Sequence, residues 1–288
     1  MPAIESLRKR SYARVPLPPD DASRTVESLG IISSHLARER QVPRLEVTGS
    51  RLALKSFAER SQLRYTPNST SDDTVNSLQL ERAAAESCAS LAEIASSALV
   101  TLNAAVGTPN DGIRLLDAFF YPGSAQWNAH DSRSPPSPCP AHEDPGLITV
   151  IIEDGPALEV LEGDGSWSEI ALAKGECVLI AGRALETLSR GAFRACTHRV
   201  RLTAAPRTSL VYEVRLDEQS VAQYARLEAE AAAVDATNTS DAHYARAAAL
   251  FNAPLRHDPR SSASTAAATT WGAVAGALHR LSAGVWQA

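Results

Sequence analysis

Two candidate metal ligands, His142 and Asp144, are separated by one residue in the run AHEDPGL. In an extended strand, alternate side chains leave the same face, so both could reach one ion while Glu143 points the other way. A third ligand would have to come from a distant strand folded back alongside, and His198 lies in a segment with strand character. The sequence therefore predicts a β-structure that brings separated strands together around one ion.

The residue types in this pattern indicate the kind of metal site. Two imidazoles and one carboxylate leave the other positions of an ion open, which is the arrangement of non-haem Fe(II) oxygenases. Farther along the chain, Arg207 and Ser209 share a strand face, and an arginine fork with a hydroxyl suits a carboxylate. Taken singly, each residue has an ordinary alternative: a surface or core histidine, an aspartate that begins a turn, or an arginine in a surface ion pair.

The run from about Asp117 to Val214 resembles the isopenicillin-N-synthase-like branch of the 2-oxoglutarate and Fe(II)-dependent dioxygenases. The matching blocks occur in the family's order, and they are Tyr121-Pro122, AHEDPGLITVI, LEVLEGDGSWSEI, KGECVLIAGRALETLSRGAF, THRV and PRTSLVY. An HxD motif alone is weak evidence, whereas the ordered set is specific. The many short strands predict a sandwich or barrel, and the resemblance selects the double-stranded β-helix, or jelly roll.

The resemblance also implies roles for particular residues. His142, Asp144 and His198 would hold Fe(II), and Arg207 with Ser209 would bind the distal carboxylate of the co-substrate 2-oxoglutarate. Tyr121 would hydrogen-bond the same carboxylate, with a plain aromatic core residue as its alternative. The remaining reactant would be O2, ascorbate is a candidate reductant, and the products would include succinate and CO2. Hydroxylation of a C–H bond is the default outcome, and desaturation or ring closure are the alternatives, which depend on the shape of the pocket.

Three departures from the family pattern bear on the site. The segment 122–140 is longer than usual, which predicts a lip over the site mouth with Trp127 as a candidate substrate contact. Arg183 replaces an acidic residue. Glu213 stands where many relatives have an aromatic residue facing the substrate. Its carboxylate either meets an amine-bearing substrate or belongs to a strand-end glutamate that reaches solvent or pairs with a nearby arginine.

The pattern predicts an α+β fold in three parts. Residues 1–112 are expected to form an arm, up to about residue 22, followed by helices over 22–40, 50–62 and 74–105. Residues 113–218 are expected to form the jelly-roll core. Residues 219–288 are Ala-rich and predict C-terminal helices with a tail whose packing stays open.

Composition excludes some classes of function. The 288 residues carry a net charge of −5 and a pI near 5.8, so no overall electrostatic footprint for nucleic acid is present. No apolar run is long enough to predict a membrane span. Four cysteines without paired spacing indicate reduced thiols, so we expect a cytoplasmic protein, with organellar import left open. The expected partner is a small-molecule substrate, and the oligomeric state stays open.

Three functions therefore remain in competition. The first is a 2-oxoglutarate-dependent oxygenase. The second is an Fe(II) oxidase of the same branch that keeps the Arg207 and Ser209 pair but does not consume 2-oxoglutarate. The third is a non-catalytic metal- or ligand-binding barrel, which the complete set of ligand positions disfavours.

Overall fold

The computed structural model describes residues 2–39, 52–56, 60–67, 78–106, 112–123 and 138–216. Within them the helices are α1 (Pro2–Arg10), α2 (Pro19–Glu39), α3 (Leu78–Val106) and α4 (Arg183–Leu188). The strands are β1 (Tyr12–Pro16), β2 (Leu52–Ser56), β3 (Ser61–Tyr65), β4 (Gly112–Tyr121), β5 (Cys139–His142), β6 (Ile148–Glu153), β7 (Leu158–Leu161), β8 (Trp167–Glu169), β9 (Glu176–Ala181), β10 (His198–Val200) and β11 (Arg207–Leu216).

The strands form two antiparallel sheets. The major sheet has seven strands in the order β1-β9-β6-β11-β4-β3-β2, and the minor sheet has four in the order β5-β10-β7-β8. Chain neighbours such as β6 and β7 lie in different sheets, as expected for a jelly roll. The predicted α+β jelly-roll architecture is confirmed, although strand pairing among the described residues does not close the two sheets into a barrel.

One face of the major sheet is covered by helices. Strand β11 alternates, and its residues Leu210, Tyr212 and Val214 are all at most 1% exposed. They belong to a large apolar core that also contains Ile32 of α2 and Leu99 of α3. The amphipathic helices bury one stripe each against this face, so the sheet is fixed from behind.

The opposite face of the major sheet looks toward the minor sheet. A second apolar cluster joins Ile151 and Val178 of the major sheet to Leu158 and Val160 of the minor sheet, with Val211 of β11 packed against it. Because side chains alternate along β11, the residues two positions on either side of Val211 share this inner face. The fold therefore places polar residues of β11 between the two sheets.

The prediction of an extended N-terminal arm up to about residue 22 was wrong for residues 2–10 and 19–22, which are helical. Residues 2–10 form α1, and β1 pairs with β9 at the edge of the major sheet. The prolines favour a continuous extended segment, but Pro16 ends an edge strand and Pro19 begins α2. Both are positions where a missing backbone N–H is tolerated.

The prediction of a helix over 50–62 was also wrong. Strands β2 and β3 pair there, and Leu52, Leu54, Leu63 and Tyr65 alternate into the core with a period of two. The predicted helices at 22–40 and 74–105 are present, as α2 and α3. The predicted C-terminal helices of 219–288 and most of the 122–140 lip lie outside the described residues.

Among the described helices, none combines the length and the hydropathy that crossing a lipid bilayer requires. The four cysteines, Cys88, Cys139, Cys177 and Cys196, are free thiols, as the sequence predicts. The proposed division at residues 112 and 218 stays a prediction, since the apolar core behind the major sheet is shared by helices and strands from both sides of residue 112.

Candidate metal centre

Three ligand atoms converge at the edge of the space between the sheets. Nε2 of His142 lies 3.6 Å from Oδ1 of Asp144, and Nε2 of His198 lies 3.8 Å from the same oxygen. All three atoms fall within 4.8 Å of one another. The side chain of His142 is 41% exposed, that of Asp144 13% and that of His198 5%. The cluster is therefore anchored in the fold and open to the outside on the His142 side.

Both imidazole rings are oriented by backbone carbonyls. Nδ1 of His142 lies 2.9 Å from the carbonyl of Pro140, and Nδ1 of His198 lies 3.0 Å from the carbonyl of Cys196. A carbonyl can only accept, so each Nδ1 must carry the proton, which leaves Nε2 as the atom that could bind a metal. The antiparallel pairing of His142 with His198 across β5 and β10 sets the two rings side by side.

The contacts of Asp144 suit an anionic metal ligand. Its Oδ2 accepts a hydrogen bond from Oγ1 of Thr149 at 2.5 Å, so Oδ1 is the oxygen left to face the imidazoles. Burial alone would raise the pKa of Asp144, but His198 and His142 outweigh it and hold that pKa below its ordinary value. Burial lowers the pKa of His198. An ionised carboxylate and a neutral imidazole are the forms that bind a metal.

His142 differs from His198 in its neighbours. Sγ of Cys139 lies 3.8 Å from its Nδ1. Burial lowers the pKa of His142, but Cys139 and Asp144 together outweigh burial and raise the pKa to about 9. A metal ion that binds here must therefore displace a proton from His142.

Glu143 connects the two segments that carry the ligands. Its side chain points away from the ion position, as predicted, and its Oε1 accepts from Oγ1 of Thr197 at 2.9 Å. Its Oε2 accepts from Nη1 of Arg183, also at 2.9 Å. Glu143 lies between two ligands and Thr197 immediately precedes the third. The unusual Arg183 thus supports the candidate metal site through Glu143, a contact that sequence reasoning missed.

The loop after Asp144 packs against the start of α4. The backbone N–H of Arg183 donates to the carbonyl of Asp144 at 2.8 Å, and that of Ala184 donates to the carbonyl of Gly146 at 3.1 Å. A Cβ on Gly182 would collide with the Gly146 carbonyl group, whose carbon would lie 2.8 Å away. Only glycine permits this approach, so the position of the ligand loop depends on Gly182.

Arg207 lies on the inner face as predicted, but it already has an acidic partner. Its Nη2 donates to Oε2 of Glu153, and its Nε donates to the carbonyl of Gly155 at 2.9 Å. The guanidinium carbon lies 5.2 Å from the ring centroid of Tyr121, which is 4% exposed. Ser209, 3% exposed, follows on the same face. The predicted carboxylate-binding residues are therefore close together. Sequence reasoning missed Glu153, which pairs with Arg207 in the same place.

Glu213 is buried rather than solvent-exposed, with 5% of the residue accessible. Its Oε2 accepts from Arg215 at 2.7 Å, and its Oε1 accepts from the backbone N–H of Gly146 at 3.2 Å. The alternative of pairing with a nearby arginine therefore fits the structure better than the one of reaching solvent. A substrate role for Glu213 stays a prediction. Trp127 lies outside the described residues.

Two buried atoms near Arg207 have no hydrogen-bond partner within the described part of the chain, namely its own Nη1 and Oε1 of Glu153. An unsatisfied buried polar group costs about 1–3 kcal/mol. An acceptor such as a ligand carboxylate would satisfy Nη1, so this region fits an anionic group. The converging atoms of His142, Asp144 and His198 fit a divalent metal, as two nitrogens and one oxygen.

Comparison with known proteins finds matches for part of the chain. Residues 115–216 match the family model described as the 2OG-Fe(II) oxygenase superfamily. Scopoletin 8-hydroxylase from Arabidopsis thaliana is 40% identical over 63 residues, which are 22% of this chain. That match spans only 18% of the length of the plant enzyme, so it is a relationship between segments.

Solved structures share the fold. A structure described as a putative oxygenase from Shewanella oneidensis has a TM-score of 0.59 and 19% identity, covering 75% of this chain and 86% of its own. A full-length Neurospora crassa protein, solved in complex with alpha-KG and 5-formyluracil, also has a TM-score of 0.59, with 14% identity and coverage of 74% and 77%. At such identities, these matches establish the fold alone.

Proposed function

We propose that the protein is an Fe(II)- and 2-oxoglutarate-dependent oxygenase of a small molecule, from the premise that residues 115–216 match the family model of the 2OG-Fe(II) oxygenase superfamily. One observation carries the proposal: the ligand atoms of His142, Asp144 and His198 converge while their other polar atoms are hydrogen-bonded to the protein. Chance clusters of acidic and imidazole groups are not expected to have every non-ligand atom satisfied.

The proposed iron centre has three protein ligands. His142 and His198 would each bind through Nε2, and Asp144 would bind through Oδ1. Bound iron supplies oxygen activation at the expense of 2-oxoglutarate, which is released as succinate and CO2 while a substrate C–H bond is oxidised, by default to an alcohol. The protein's contribution is to fix the ligand geometry and to exclude water from the inner face.

The co-substrate would extend from the metal toward β11. Arg207 would donate to its distal carboxylate through Nη1, and Ser209 would add a hydroxyl donor from the next position on the same face. Tyr121 would border this carboxylate with its ring against Arg207. The buried Nη1 of Arg207 supports this assignment, because it has no hydrogen-bond partner in the described part of the chain and a ligand carboxylate would supply an acceptor.

The test is anaerobic loading with Fe(II) and 2-oxoglutarate. We expect a visible metal-to-ligand charge-transfer band, and metabolite screening by thermal shift in that state would identify substrates. Addition of O2 should then form succinate in step with substrate oxidation. If the charge-transfer band were missing from protein that binds both Fe(II) and 2-oxoglutarate by calorimetry, the oxygenase assignment would fail.

Two alternatives give other results in the same assay. An Fe(II) oxidase of this branch would consume O2 and oxidise its substrate without forming succinate. A non-catalytic barrel would bind metal without any O2 consumption. The pairing of Arg207 with Glu153 is the observation that keeps the oxidase in consideration, because that pair partly neutralises the proposed co-substrate site.

A further inference from the structure

The carboxylate of Glu153 lies inside the proposed co-substrate site. In the pairing of β6 with β11, Glu153 lies directly opposite Ser209, so their side chains share the inner face. Glu153 forms an ion pair with Arg207 through Oε2 and Nη2. Both side chains are 2% exposed, so water screens this pair very little.

The pair leaves the guanidinium only partly available. Oε2 of Glu153 occupies Nη2 of Arg207, and the Gly155 carbonyl occupies Nε. Nη1 has no partner within the described part of the chain, so it is the position at which a ligand oxygen can be received. An anionic ligand at Nη1 would lie close to Glu153, and like charges repel strongly where the effective dielectric constant is low.

We propose that Glu153 is a specificity-determining residue that weakens binding of the co-substrate's distal carboxylate. The inference rests on the proposed function. The Arg207 and Glu153 pair has no net charge, so a 2-oxo diacid gains less from Arg207 than it would from an uncompensated arginine. A 2-oxo monoacid with no distal carboxylate does not meet this pair. Glu153 therefore reduces the ratio by which the site binds 2-oxo diacids more tightly than 2-oxo monoacids.

The variant Glu153→Gln tests this directly, because it keeps an oxygen acceptor for Arg207 and removes the charge. Asp154→Asn is the matched control: it removes the same charge one residue later. Asp154 is exposed, and its Oδ1 accepts the backbone N–H of Thr208 at 2.6 Å instead of contacting Arg207. If circular dichroism shows that the Gln variant does not fold, Glu153→Met takes its place, because methionine is uncharged and of similar length.

The measurement is anaerobic calorimetry of Fe(II)-loaded protein with 2-oxoglutarate and, separately, with 2-oxobutyrate. We expect Glu153→Gln to bind 2-oxoglutarate at least about tenfold more tightly than the native protein, because a buried like charge is removed. Its affinity for 2-oxobutyrate should change by less than about twofold, since that acid makes no contact with the pair. Asp154→Asn should leave both affinities within the same twofold range.

The outcomes separate this inference from the proposed function. Unchanged 2-oxoglutarate affinity in Glu153→Gln would overturn the inference alone. An equal gain for both acids would also overturn it, because the effect would then be general rather than confined to the distal carboxylate. If Fe(II) binds but neither acid binds to any of the proteins, the proposed function fails and the inference fails with it.

Discussion

The two ends of the proposed site are built differently. At the metal end, the protein hydrogen-bonds Nδ1 of His142, Nδ1 of His198 and Oδ2 of Asp144, so only the converging ligand atoms remain. At the arginine end, Arg207 is paired with Glu153, and each keeps one buried atom without a partner in the described chain. At the first end the three candidate ligand atoms are held in place by the protein, whereas at the second the positive charge is compensated by an internal carboxylate.

The metal end of the proposed site is preorganised for its ligand, whereas the charge of the arginine end is compensated before a ligand binds. Fixed ligand geometry lowers the cost of binding because little must be reordered when the ion arrives. A resident counter-ion does the reverse, since an incoming anion must share its cation. We therefore expect substitutions around the metal to weaken binding, whereas removal of charge beside Arg207 should strengthen it.

The largest effect should come from His198→Ala. This change removes one ligand atom from the most buried member of the cluster, and Fe(II) affinity should fall by more than the roughly 10–100-fold that loss of a supporting residue costs. Anaerobic calorimetry with Fe(II) measures it. His35→Ala, which removes a histidine of α2, should bind Fe(II) like the native protein. An affinity within about threefold of native for His198→Ala would break the assignment of the metal end.

Gly182→Ala should have the next largest effect. The added Cβ would collide with the Gly146 carbonyl oxygen and would lie 2.9 Å from that of Asp144, so the ligand loop must move away from α4. We expect about 1–3 kcal/mol of destabilisation, as in overpacked sites, together with weaker Fe(II) binding. Urea unfolding and calorimetry measure these quantities. Gly163→Ala, with nothing within 4 Å of its Cβ, is the control and should change neither.

Glu143→Ala should weaken metal binding by about tenfold, the lower end of the range for a supporting residue. The change releases Thr197 and Arg183 together, so the segments that carry His142 and His198 lose their side-chain connection. Glu186→Ala is the control, because Glu186 lies 4.0 Å from the same Arg183 and has no contact with Thr197 in the described structure. Equal losses in both variants would mean that the charge near Arg183 matters and the connection does not.

The sequence predicts the metal end better than the arginine end, for a physical reason. His142 and Asp144 share a strand face because they are two residues apart, which needs no knowledge of strand register. The convergence with His198 follows from the order of the motif blocks. Glu153 gives no such local signal: it meets Arg207 only because β6 and β11 pair with Ser209 opposite Glu153.

The errors in the fold have a similar origin. Strands β1, β2 and β3 have five residues each, and their pairing partners are set by tertiary structure. A run that short is compatible with either helical or extended periodicity. Whether it forms a helix or a strand then depends on the segments it packs against, which the sequence does not reveal. The long helix α3 and the ten-residue strand β11 were predictable because their patterns repeat several times within one element.

The smallest effect should appear in the stability of metal-free Glu153→Gln as a function of pH. Burial raises the pKa of Glu153, although Arg207 opposes this shift. Between the ordinary glutamate pKa, about 4.3, and the raised value, folded protein holds a proton that unfolded protein has lost. Native stability therefore falls as pH rises through this window.

Gln at position 153 does not titrate in either state, so the variant should not show this loss. We expect its stability relative to the native protein to increase by on the order of 1 kcal/mol as pH rises through the window, and then to stay constant, because a buried charge with an unsatisfied oxygen is costly. Urea unfolding at a series of pH values measures the difference. A difference independent of pH would mean that Arg207 fully compensates Glu153, and the contrast between the two ends of the site would then lose its electrostatic basis.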